Sequence, residues 1–369
     1  MSNLTRLLAR TDAVFEFAAQ QLQTLTDKHP DQFPMYTESG KWSIEGERWT
    51  NWCEGFLGGQ LWLIYLATGD ETWRTKAEHY SKQVEERVSD DTVHDLGFVF
   101  WPTYYRWWTL SDDQDLLDIV IRAGRTLASR YQAPGAYVAS FVGEDSLFID
   151  IMMNVGLIFF AGYESGDPEL IDVAMEHSLT SRRHLVRGDG STAHEALFDR
   201  ETGAFLKHGT HQGWRPGSSW ARGLAWALYG FGTVFSFTGD GRFLQTAQAC
   251  ANYFIEHSPD NGIPPNDFIE PNPARPYESS AAAIAASGLL QLSELSIDPA
   301  HKRLYHDQAV TILTTLTEPE FLASETPNWE GILKHGVYHE RKNLGVDESV
   351  MWGDYFFLEA LWKLVDAAD

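Results

Sequence analysis

The sequence predicts an all-α protein, an (α/α)6 barrel or toroid in which six outer helices wrap six inner ones. Three observations carry this. Apolar residues recur at helical spacing in nearly every segment, whereas strand-like alternation is scarce. Six helical stretches are apolar nearly all round and belong inside, and six have one polar face and belong outside. The two kinds alternate along the chain, as the units of a repeat do. An open α-solenoid has the same periodicity, so closure into a ring is a further expectation. All 369 residues are expected to form a single domain, 1–369.

The elements follow in order. The first outer helix covers Leu4 to Asp27, with Leu7, Val14, Phe15, Ala18 and Leu22 on one face. An inner helix opens at Trp52 and closes near Gly69, and an outer one follows from Glu71 to Val88. The second inner helix runs from Asp95 to Asp112; Pro102 inside it removes a backbone donor and predicts a kink or break near Val99 to Phe100. Asp113 to Tyr131 is outer, with Leu116, Leu117, Val120 and Ala123 facing in; Asp150 to Gly166 is inner, and Pro168 to Val186 is outer. Trp220 to Gly239, Gly241 to His257, Ser279 to Asp298 and Pro299 to Leu316 continue the alternation, and the last inner helix opens at Trp352. The inner-to-outer turns read ATGDETW, ESGDPEL and FTGDGRF from Ala67, Glu164 and Phe237, where Gly takes a left-handed C-cap and Asp starts the next helix. The long connections Gly188 to Ser219 and Ser258 to Glu278 precede inner helices, and loops of that length are usually functional. One end of the ring therefore gathers six helix heads, two of them aspartates.

Composition narrows the function. Hydrophobic residues at 43% and charged residues at 22% describe a globular protein with an ample core. The longest apolar runs, such as Ile151 to Gly162, fall short of the ~20 residues that cross a bilayer, so no membrane association is expected. Met1 to Gln23 lacks the uninterrupted apolar stretch of a secretory signal, and the two cysteines, Cys53 and Cys250, suit a reducing compartment, so the expected location is cytoplasmic. A formal net charge of −24 repels polyanions and argues against nucleic acid. A monomer or weak homo-oligomer is expected.

Asp95, in HDLGF, and Asp150, in FIDIMMN, each start an apolar helix. Either is readable as an N-cap carboxylate. Together they are also readable as two carboxyls with pKa values pushed apart, a general acid and its electrostatic partner. Trp52, Trp220 and Trp226 offer flat rings for sugar faces, against core packing as the alternative. Arg222 suits a substrate carboxylate, with a surface salt bridge as the equal alternative. His94 adjoins Asp95, and the long loop before Trp220 carries His194, His208, His211 and Gln212 as hydrogen-bond donors to an anionic or hydroxyl-rich ligand. No H-E-x-x-H or cysteine set accompanies these histidines, so no metal is expected; no Walker loop, dinucleotide fingerprint or G-x-S-x-G elbow occurs, so no cofactor is expected.

Taken in order, WCEGF from Trp52, HDLGF, IDIMMN from Ile149, SRRHLVRGDGST, GTHQG, SSWARGLAWALYGF and WGDYFFLEAL from Trp352 resemble the unsaturated glucuronyl hydrolases of glycoside hydrolase family 88. The resemblance implies an (α/α)6 barrel and an enzyme that hydrates the ring double bond of the unsaturated uronic acid left on oligosaccharides by polysaccharide lyases. The substrate partner is then a small unsaturated oligosaccharide. It implies Asp150 as general acid/base and Asp95 as its helper. It implies a substrate pocket of Trp52, His94, His194, Gln212, Trp220, Arg222 and Trp226, beside which His211 is also placed. Two departures stand out: Phe141 where the family often has a Trp, and YHERKNLGVDES without the serine-rich pattern of sulfate binders, leaving His339, Arg341 and Lys342 to meet an anionic aglycone. The heads at Ser279 and Trp352 receive no role beyond closing the ring. The other readings are an unsaturated rhamnogalacturonyl hydrolase, an ordinary inverting glycosidase on the same barrel, and a helical repeat scaffold that binds a partner.

Overall fold

The computed structural model describes residues 3–45, 50–271 and 277–367; the 272–276 stretch of the long loop before Ser279 lies outside them. Helix α1 (Asn3–Lys28) precedes α2 (Glu54–Thr68) and α3 (Glu71–Gln83). Next come α4 (Leu96–Phe100) and α5 (Arg106–Ser111), two parts of one interrupted helix, then α6 (Gln114–Ala128), α7 (Ile151–Ser165) and α8 (Pro168–Leu185). The chain continues through α9 (Ala221–Thr238), α10 (Gly241–His257), α11 (Ser279–Leu295), α12 (Pro299–Leu316) and α13 (Met351–Asp366).

Burial sorts these helices as the apolar pattern requires. Every residue of α11 from Ser279 to Leu290 is buried, whereas α6 buries the single stripe Leu116, Leu117, Val120, Ala123, Gly124 and Leu127. The inner members α2, α4–α5, α7, α9, α11 and α13 pack each on the next, and α13 packs back on α2 while α12 packs on α1. The ring is closed, which removes the open solenoid. No helix among the described residues is long and apolar enough to cross a membrane.

Pro102 has the expected effect. α4 stops at Phe100, Trp101–Tyr105 forms a π-helical turn, and α5 resumes the path. Proline lacks the amide that would bond the Phe98 carbonyl, and a wider turn makes room for its ring. The Thr103 hydroxyl donates to the Val99 carbonyl at 2.5 Å.

The two ends of the ring differ. At the inner-to-outer turns, Gly69, Gly166 and Gly239 sit at φ 67°, 67° and 64°, and Asp112 takes the same left-handed cap at 53°. Asp70, Asp113, Asp167, Asp240 and Asp298 then each accept the amide two residues on, capping α3, α6, α8, α10 and α12. The opposite end is built partly of strands that the sequence pattern did not reveal. Ser146–Phe148, Glu195–Phe198 and Phe205–Gly209 form an antiparallel three-stranded sheet, so two strands lie within the long loop before α9. Gly336–His339 pairs with Leu344–Glu348 in a second ribbon that leads into α13.

Candidate active site

A cavity opens at the strand-bearing end, lined by Thr50, Trp52, His94, Asp95, Phe141, Phe148, Asp150, Gln212, Arg222 and Tyr338. Asp95 and Asp150 immediately precede α4 and α7, and neither side chain caps its helix. At α7 the backbone satisfies itself through a tight first turn, Met152 N–H donating to the Ile149 carbonyl and Met153 N–H to that of Asp150, each at 3.1 Å. The N-cap reading of these two residues is thereby excluded, and both carboxyls are left to the cavity.

Each carboxyl faces a histidine held in the same way. The Phe141 amide donates to His94 Nδ1 at 3.0 Å, which leaves the ring proton on Nε2, 3.4 Å from Asp95 Oδ1. The Thr210 hydroxyl lies 3.2 Å from His194 Nδ1, and the His211 and Gln212 amides point at it from 3.3 and 3.5 Å; with two N–H donors on Nδ1 the ring proton sits on Nε2, facing Asp150 Oδ2 at 3.5 Å. Neither of those two atoms has a closer partner among the described residues. Burial drives His94 down to about 3, with Arg130 adding to the effect, and drives His194 well below the usual histidine range. Both rings are therefore neutral donors near neutral pH.

The carboxyls are shifted the other way. Burial raises Asp150 to about 6, with the charges of Arg222 and His211 pulling it part of the way back. Burial raises Asp95 well above the carboxylate range, and the neighbouring charge of Asp150 raises it further. A proton is thus retained in the pair close to neutral pH.

Arg222 is 1% exposed and lies between two indoles, its guanidinium carbon 4.4 Å from the Trp220 ring and 4.9 Å from the Trp352 ring. One terminal nitrogen donates to the Val337 carbonyl and the other to that of Tyr338 at 3.0 Å. Glu278 holds the strand that supplies those carbonyls: its Oε1 accepts the Val337 amide at 3.1 Å and the Ser280 hydroxyl at 2.6 Å, while its Oε2 caps α11 through the Ala281 amide at 2.7 Å. Gln212 Nε2 donates to the Tyr338 carbonyl at 3.1 Å, tying the long loop to the same ribbon.

Of the residues expected at a site, Trp52, His94, Asp95, Asp150, Gln212 and Arg222 line the cavity together. Four stand elsewhere. His194 lies behind Asp150, and Trp220 lies behind His194, ring centroids 4.6 Å apart. The His211 side chain is 43% exposed, with Nε2 3.5 Å from Glu195 Oε2. Trp226 is 1% exposed and packs on Phe98 and Phe356, six residues of helix, roughly 9 Å, beyond Trp220. His208 donates to the His184 carbonyl at 2.7 Å, so the two loop histidines diverge. Trp352, given no role from sequence, braces both Arg222 and Trp52, the latter at 4.7 Å between centroids. Tyr338 and Phe148 were also missed; each sits in a short strand with no local motif to announce it. Phe141 takes its place at the cavity wall, stacked on His94 at 5.5 Å.

Residues 20–260 match the model of Glycosyl Hydrolase Family 88. The chain is 34% identical over 348 residues to the unsaturated glucuronyl hydrolase of Bacillus sp. (strain GL1), covering 91% of this chain and 92% of that protein. It is 31% identical to the unsaturated chondroitin disaccharide hydrolase of Streptococcus pyogenes serotype M1, covering 94% and 89%. The crystal structure of the Bacillus sp. GL1 unsaturated glucuronyl hydrolase, described as responsible for glycosaminoglycan degradation, superposes with a TM-score of 0.88 at 33% identity, over 97% of this chain and 96% of that one. The chain belongs to glycoside hydrolase family 88, and its fold is the (α/α)6 barrel.

Proposed function

We propose that this enzyme is an unsaturated glucuronyl hydrolase in which Asp150 is the proton donor and Asp95 its helper. The observation that carries the assignment is the pair of inward-facing carboxyls, relieved of capping and raised in pKa, in one cavity with a buried arginine. Protonated Asp150 donates to the ring alkene carbon remote from the ring oxygen, and the positive charge settles on the carbon bonded to that oxygen. The resulting Asp150 carboxylate takes a proton from water as its oxygen adds there. The hemiketal so formed opens, releasing the neighbouring sugar and a keto uronate. Asp95, next to the neutral donor His94, is the second carboxyl of the proton-holding pair and assists Asp150 in the first transfer. Arg222 and Gln212, both at the cavity wall, supply the local positive charge and polarity that an anionic sugar needs inside a protein of net charge −24.

The substrate class is a small lyase-generated oligosaccharide with a non-reducing-end unsaturated uronate. The enzyme is read as cytoplasmic, a reading supported by its two buried cysteines, which form no disulfide among the described residues. The test is a panel of unsaturated disaccharides from chondroitin, hyaluronan, heparin, gellan, xanthan and ulvan. Loss of the conjugated ultraviolet absorbance is expected, and reaction in D2O is expected to leave one deuterium on the carbon that received the proton. An inverting glycosidase would release the sugar with the alkene carbon unlabelled, and that result would reject the hydration mechanism.

A further inference from the structure

A helix that begins with a buried aspartate has donors for that aspartate to satisfy, so a free Asp95 needs an explanation. In α4 the amide of Phe98, third residue of the helix, is the donor that an N-cap side chain ordinarily accepts. Here it donates instead to Asn154 Oδ1, 2.9 Å away on α7. Asn154 is wholly buried, and its Nδ2 donates at 3.2 Å to the carbonyl of Asp150 one turn earlier. Gly97 makes the approach possible: a Cβ there would lie 2.6 Å from both the Asn154 Cα and Oδ1. Asn154 is not among the residues that line the cavity.

We propose that Asn154 is a positioning residue, a cap supplied from α7 that takes over the work of Asp95 at the start of α4 and fixes the two aspartates relative to each other. Without it, the nearest acceptor for the Phe98 amide is the Asp95 carboxylate, which would turn from the cavity to cap its own helix. A buried amide side chain with both ends satisfied also contributes to the fold, so the test separates position from stability. The inference rests on the proposed roles of Asp95 and Asp150.

The experiment is a double-mutant cycle on kcat and KM with an unsaturated disaccharide, using Asn154→Ala, Asp95→Asn and the pair, with Asp150→Asn beside them. Asn154→Ala is expected to lower kcat at least tenfold with KM within about threefold, and to lower kcat less than twofold further in the Asp95→Asn background. Loss of the same factor in both backgrounds means a merely structural role and overturns the inference, as does kcat within twofold of the parent. Should Asn154→Ala not fold, Gly97→Ala, which displaces the same amide, is put through the same cycle and decides by the same criteria. Full activity in Asp95→Asn or Asp150→Asn overturns the assignment of the aspartates instead, so the two failures are distinguishable.

Discussion

Aspartates stand at the start of helices at both ends of this ring, and the two ends use them differently. At the turn end, five of them cap outer helices and lie toward solvent. At the cavity end, Asp95 and Asp150 occupy the same position on α4 and α7 and cap nothing. What differs is who else serves the helix amides: a tight backbone turn at α7, and a side chain from the neighbouring helix at α4. Relieved of that duty and buried, a carboxyl holds its proton to higher pH and becomes available for chemistry. The contrast also predicts a trade of stability against function, because a buried, uncapped carboxyl is a cost to the fold that a cap is not.

The largest test of the contrast is Asp150→Asn. It is expected to lower kcat/KM by about 10³-fold or more, read from the ultraviolet assay. It is also expected to raise the melting temperature at neutral pH. The sign follows from the raised pKa: the folded state holds the Asp150 proton more tightly than the unfolded chain, so the parent carries no penalty below about pH 3.8 and accumulates it up to about 6, where it reaches about 3 kcal/mol. Asparagine, which cannot ionise, escapes that penalty. For the same reason kcat/KM of the parent is expected to fall as pH rises past about 6, since the acid form is needed. A variant no more stable at pH 7 than the parent would remove the trade.

An intermediate effect belongs to Arg222. Arg222→Lys keeps the charge and loses the two-pronged hold on the Val337 and Tyr338 carbonyls between the indoles. The expected result is a rise in KM of roughly ten- to a hundredfold with a smaller change in kcat, measured on the best disaccharide of the panel. The smallest effect lies at the other end of the ring. Asp167→Ala removes the acceptor for the Glu169 amide and is expected to cost about 1 kcal/mol of stability by thermal melts, with kcat and KM unchanged. Any loss of activity there would mean that the two ends are coupled.

The parts legible in the sequence were those that local rules determine. The Gly-Asp turns, the alternation of all-round and one-sided apolar helices and the break at Pro102 each follow from a few consecutive residues, and each stands where expected. The cavity was only partly legible. Asp95, Asp150, Trp52 and Arg222 sit at helix starts, and helix starts share an end of the ring. Tyr338 and Phe148 escaped because strands of three or four residues form only by pairing with distant segments, leaving no alternation to read.

The closure of α13 onto α2 has a consequence for how the enzyme is made. Trp352, in the last helix, meets Trp52 near the first inner one, and the ribbon preceding α13 supplies the carbonyls that grip Arg222. A nascent chain emerging from the ribosome can stack its helical pairs as they appear, but it cannot complete the cavity until α13 has been synthesised. Contacts of such sequence separation form slowly. Activity during translation is therefore all or none, and a chain released before α13 carries both aspartates and no working pocket.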